Sequence, residues 1–162
     1  MNLSKFAINR NDLISRWIEA YNAKELTHDE IEEMAGFLKD RNPKLYHVIK
    51  MRGDKKTLKA IGDHYGVTVE RARQIVFKAQ KAVEKEYIKN WAKVDFLNGV
   101  DVGLNDVFAD NNRVLNNLHR EGLRTISDLI SFGVSNIGGA HSVGKKTVAE
   151  VKRTLDWLNS RE

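Results

Sequence analysis

The chain has 162 residues, one proline, no cysteine, and 27 Lys/Arg against 22 Asp/Glu, for a formal net charge of +5. Without cysteine there are no disulfides, thiolate zinc sites or cysteine nucleophiles. No apolar run is long enough to span a bilayer, and the start lacks the pattern of a secretory signal, so a cytoplasmic protein is expected.

The elements expected in chain order are all helical. Leu13, Ile14, Trp17, Ile18 and Tyr21 make an amphipathic stripe, read as an N-terminal helix within residues 1–26 that adds core to the next module; docking to a partner is the alternative. Thr27, His28, Asp29 and Glu30 have the pattern of a capping box, opening a helix that buries Ile31, Met34, Ala35 and Leu38. Asn42-Pro43 starts another helix, with proline at its first position. Thr57 to Tyr65 reads as a short capped helix with Leu58, Ile61 and Tyr65 inward, ended by Gly66. Thr68 caps the next helix, in which Ala72, Ile75, Val76, Ala79 and Val83 share one face at about 100° per residue. Residues 93–103 show no helical period and contain Gly99 and Gly103, so they read as a linker. Residues 104–162 form a second compact module. The expected fold is therefore all-α: a helix-turn-helix domain over 27–92 and a helical domain over 104–162.

Charge separates the two modules. Five Lys/Arg stand against eight Asp/Glu over residues 1–40, fourteen against seven over 41–103, and eight against seven over 104–162. Positive potential is thus concentrated on the helix-turn-helix, whereas DNA affinity in the nearly neutral C-terminal module must come from placement of a few residues. On the helix after Thr68, Glu70, Arg71, Arg73, Gln74 and Lys78 lie away from the apolar face. One face packs and the other reads, which is the layout of a recognition helix. The candidate major-groove residues are Thr68, Glu70, Arg71, Arg73, Gln74 and Lys78.

Thr57-Leu58…Ile61-Gly62 followed by Val67-Thr68-Val69-Glu70-Arg71-Ala72-Arg73-Gln74-Ile75 resembles the region 4 helix-turn-helix of bacterial primary sigma factors, T-L-x-x-[IV]-G then V-T-R-E-R-[IV]-R-Q-I. The preceding Asn42 to Gly53 resembles the helix before it in that family, so the resemblance covers about residues 27–90. It implies binding to a −35-type promoter element and contact with RNA polymerase. Two positions depart from the family: Val69 replaces an arginine that reaches the −35 element, and Gln80 replaces a core leucine.

A second set of segments comprises Arg113-Val114-Leu115-Asn116-Asn117-Leu118, Ile126-Ser127-Asp128-Leu129, and Val143-Gly144-Lys145-Lys146-Thr147-Val148-Ala149-Glu150-Val151-Lys152. In identity and spacing these resemble the C-terminal domain of the RNA polymerase alpha subunit, a helix-hairpin-helix type module that binds the minor groove of A·T-rich DNA. The resemblance places Arg113, Asn116, Gly144, Lys146, Thr147 and Glu150 on DNA-determinant positions, with Asn117 on a further, more variable one. The chemistry is coherent: a glycine before a helix lets phosphate approach free N–H groups, and an arginine enters a narrow, negative groove. Ile137-Gly138-Gly139-Ala140-His141 departs from the family's Pro-containing approach to that glycine, so a looser loop is expected.

No Ser/His/Asp arrangement, phosphate-binding P-loop or acidic magnesium cluster is present, and the five histidines show no metal spacing. The expectation is a non-enzymatic DNA-binding transcription regulator without cofactor or metal, whose partners are double-stranded DNA and RNA polymerase. Its size and mix of modules suit a phage or mobile-element regulator. Two alternatives stand beside it: a helix-hairpin-helix type binder of DNA structures in repair, recombination or packaging, and a polymerase-binding inhibitor that displaces sigma.

Overall fold

The computed structural model describes residues 19, 22–23, 26–137 and 144–160. The stripe of Leu13, Ile14, Trp17, Ile18 and Tyr21 lies outside them, as do residues 138–143, where a looser approach to Gly144 was expected. The described residues form ten helices and no strand, with one isolated antiparallel bridge between Gly103 and Thr125. No described helix is long and apolar enough to cross a membrane. The chain divides into two compact units that meet between Glu84 and Lys85.

In the first unit, α1 (His28–Ala35) starts at Thr27, whose hydroxyl accepts from the Glu30 N–H at 3.3 Å. Ile31, Met34 and Ala35 are buried at helical spacing. After α2 (Leu38–Arg41), Asn42 caps α3 (Pro43–Gly53) by accepting from the Leu45 N–H at 3.2 Å. Pro43 falls in the first turn, where an N–H is not needed for the helix ladder. α3 packs on α1 and α2 and buries Leu45, Tyr46, Val48 and Ile49. The Tyr46 hydroxyl donates to Glu32 of α1, and Lys39 lies 3.5 Å from the same carboxylate.

Two further helices complete the helix-turn-helix. Thr57 caps α4 (Leu58–Tyr65), accepting from the Ala60 N–H at 3.1 Å, and Gly66 ends it at φ 64°, in the left-handed region. α5 (Val69–Leu97) then buries Ala72, Ile75, Val76, Ala79 and Val83, the stripe expected from spacing.

The expected linker at 93–103 is built differently. α5 continues to Leu97, passing through the boundary between the units. Ala92 and Val102 lie in the core of the second unit with Leu104, Val107, Phe108, Val114, Leu118, Leu123, Ile126, Leu129, Ile137, Val151 and Leu158, and Phe96 packs against them. Lys93 donates to Ser160 at 2.7 Å, and the Lys89 and Lys93 ammonium groups lie 5.2 and 5.1 Å from the centre of the Trp157 ring. After α5 the chain is held by the Leu104 N–H on Arg124 O and the Ile126 N–H on Val102 O, both at 2.9 Å. The apolar positions of this stretch were aperiodic because their partners come from elsewhere in the second unit, not from one continuous helix face.

The rest of the second unit comprises α6 (Leu104–Val107), α7 (Asn112–Arg120), α8 (Ile126–Phe132), α9 (Val134–Ile137) and α10 (Lys145–Asn159). Thr125 and Asp128 form a reciprocal capping box at the start of α8. Asp101 accepts from the Ser127 N–H at 2.9 Å, and that bond holds its carboxyl below the ordinary aspartate range.

Candidate nucleic-acid interface

The turn of the helix-turn-helix depends on two glycines. Gly66 supplies the left-handed backbone, and the following Val67 N–H returns to Gly62 O at 2.8 Å. A Cβ on Gly62 would stand 2.7 Å from Val67 O, so only glycine lets the turn fold this closely onto α4. Thr68 then caps α5, its hydroxyl accepting from the Arg71 N–H at 3.1 Å. The cap spends Thr68 on helix geometry.

Glu70, Arg71, Arg73, Gln74 and Lys78 are all exposed along the first turns of α5. The polar groups are bonded to each other along the helix. Arg73 grips Glu70 with two bonds, Nε to Oε2 at 3.0 Å and Nη2 to Oε1 at 2.7 Å, and Arg71 Nη1 donates to Gln74 Oε1 at 3.0 Å. The Arg73 bonds hold the Glu70 carboxyl below its ordinary range. Both pairs are solvent-exposed, so they add little stability and exchange readily for a charged or hydrogen-bonding ligand. Phe77 is 54% exposed on the same helix, with the Lys81 ammonium 5.5 Å from its ring centre.

The stretch from the end of α3 to the start of α4 carries positive charge beyond the candidate residues on α5. Lys55, Lys56 and Lys59 are exposed, and Arg52 is tied by Nη1 to Lys56 O at 2.9 Å. Its sequence signal was the run of basic residues from Lys50 to Lys59.

In the second unit the structure brings together residues far apart in sequence. Arg113, in the first turn of α7, donates from Nη1 to Thr147 Oγ1 at 3.0 Å and from Nη2 to Glu150 Oε2 at 2.7 Å. Asn111 caps α7 through Oδ1, accepting from the Val114 N–H at 3.2 Å, and donates from Nδ2 to the same Glu150 oxygen at 3.1 Å. Asn111 was missed, although an asparagine before an apolar helical stripe is itself a cap signal. Thr147, expected at a DNA-determinant position, lies inside this cluster. It is 1% exposed, and its hydroxyl holds the Arg113 guanidinium instead of facing solvent.

Asn116 is exposed and Asn117 half-buried, three and four residues after Arg113 and hence on its side of α7. Gly144 precedes α10 with extended backbone (φ −82°, ψ 166°) and no side-chain cap. A Cβ there would meet nothing within 4 Å among the described residues, and Gly144 itself is exposed. Lys145 and Lys146 are exposed in that turn. Among the described residues no group of three or more His, Asp or Glu has the geometry to hold a metal ion.

No curated protein and no solved structure gives a significant match to the chain. Residues 42–85, from the cap of α3 into α5, match the family model for Sigma-70, region 4, and with the geometry above they carry a sigma region 4-like DNA-binding helix-turn-helix of the kind used in transcription.

Proposed function

We propose that the chain is a non-enzymatic transcription regulator that reads a −35-type element through α5 and adjacent A·T-rich DNA through the second unit, and that it contacts RNA polymerase. The observation that carries this reading is the match over residues 42–85 falling on a helix-turn-helix whose reading face is exposed. Glu70 and Gln74 are placed for bases and Arg71, Arg73 and Lys78 for bases or phosphate, while Thr68 orients the helix. The basic loop at Lys55 and Lys56 suits the phosphate backbone.

The minor-groove part rests on the second resemblance and on the Arg113 cluster. Thr147 and Glu150 hold the guanidinium at the start of α7, beside Asn116 and Asn117, while Gly144, which puts no side chain at the start of α10, and the exposed Lys146 suit a phosphate. Thr147 and Glu150 therefore position Arg113, and the contacts themselves fall to Arg113, Asn116, Asn117, Gly144 and Lys146.

The test is selection of duplexes from a random pool by the full chain, followed by footprinting in each groove. A defined hexamer flanked by an A·T tract is expected. Arg113→Ala should abolish protection of the tract and leave the hexamer footprint, and G·C replacement of the tract should have the same effect. A pool without a motif, with tighter binding to nicks or junctions, would instead identify a DNA-structure binder. Co-purification with polymerase without measurable DNA affinity would identify an inhibitor.

A further inference from the structure

Val69 opens the recognition helix and is 50% exposed. A single exposed apolar side chain is ordinary on a protein surface; the position is what distinguishes this one. Valine has no helix-forming advantage at the first residue of α5, and half of its surface stays in water, so the fold gains little from it. The neighbouring polar side chains are taken up in pairs, Glu70 with Arg73 and Arg71 with Gln74. Val69 is thus an apolar group at the end of a recognition helix that meets base edges.

Among major-groove edges, the apolar feature is the 5-methyl group of a pyrimidine, carried by thymine and by 5-methylcytosine. We propose that Val69 sets base specificity by packing its isopropyl group against a pyrimidine 5-methyl, so that this protein prefers thymine at the base pair facing the start of α5. The inference rests on the major-groove reading proposed above and adds to it the chemistry of one position. Valine offers neither donor nor acceptor, so it cannot discriminate guanine or adenine by hydrogen bonding. The methyl contact is the discrimination left to it.

The experiment uses the full chain and the best duplex from the selection, with each thymine replaced in turn by uracil. That change removes one methyl and leaves base pairing intact. One thymine should be sensitive, its loss weakening binding about fourfold, the value of one buried methyl-sized group. Val69→Ala, at a half-exposed position outside the buried core, should flatten that response, and Val69→Arg should move the preference at that position to guanine. A 5-methylcytosine·G pair placed there separates the two methyl sources: it should bind about fourfold more tightly than cytosine·G while still differing from thymine·A through its exocyclic amine. A preferred duplex with a flat uracil scan would overturn the Val69 inference alone, as would a uracil penalty that persists in Val69→Ala. Failure to select any preferred duplex would overturn the major-groove reading itself.

Discussion

The two candidate DNA faces are organised in different ways. On α5, Glu70 bonds Arg73 and Arg71 bonds Gln74, each pair three residues apart on one helix. In the second unit, Arg113 reaches Thr147 and Glu150, 34 and 37 residues away, and Asn111 reaches Glu150 across 39. The first face exists wherever α5 is helical. The second exists only when α7 and α10 are packed together, so it depends on the core beneath them.

The largest expected effect tests that dependence. A fragment of residues 104–162 lacks Ala92, Phe96 and Val102, and with them part of the core. Burial of Val102 contributes about 1.5–3 kcal/mol, with smaller amounts from Ala92 and the partly buried Phe96, against a total margin of about 3–5 kcal/mol for a domain this small. The fragment 104–162 should therefore be unfolded by circular dichroism, whereas 85–162 should melt cooperatively. A cooperative melt from 104–162 would break the comparison by making the second face independent of the long helix.

Next in size are the core truncations. Leu118→Ala and Ile61→Ala each remove a fully buried side chain and should cost about 2–5 kcal/mol in denaturant unfolding. Their consequences for DNA should differ. Leu118→Ala should erode A·T-tract protection along with stability, while Ile61→Ala, below its melting temperature, should keep the hexamer preference because the reading side chains are ordered by their own helix.

Gln74→Ala tests the local face directly. It should cost about 1–3 kcal/mol on the selected duplex and relax preference at one or two base pairs, measured by competition titration. Thr68→Ala and Thr125→Ala are smaller again, each about 1 kcal/mol of stability from a lost cap. If Thr68→Ala weakened DNA binding far beyond that, the hydroxyl would be a DNA contact as well as a cap.

The smallest effect concerns a tertiary bond within the first unit. Tyr46 donates to Glu32, which pushes the phenol up to about 12 and, with Lys39 nearby, holds the carboxyl below its ordinary range. The depressed Glu32 contributes stability above the ordinary glutamate range that is lost as pH falls through its lowered value. The raised Tyr46 contributes stability that is full below the ordinary tyrosine value of 10.0 and is lost as pH rises through about 12. Tyr46→Phe should flatten both limbs of the unfolding profile of the first unit.

Local chemistry accounts for what could be read before folding. The caps at Asn42, Thr57 and Thr68, the left-handed Gly66 and the buried stripe from Ala72 to Val83 each involve residues within one or two turns. Periodicity and cap chemistry are therefore enough to place them. The helix-turn-helix and its outward residues follow from the same rules.

Tertiary structure decided what depends on distant partners. Residues 93–103 read as a linker because the partners that bury Val102 and pack on Phe96 lie elsewhere in the second unit, as do Ser160 and the Trp157 ring that hold Lys93. Thr147 was read as a surface contact, yet packing of α10 against α7 buries it and turns its hydroxyl to Arg113. A polar side chain carries the same signal in sequence whether it meets solvent or a guanidinium. Only the packing of one helix on another, set by nonlocal apolar burial, distinguishes the two.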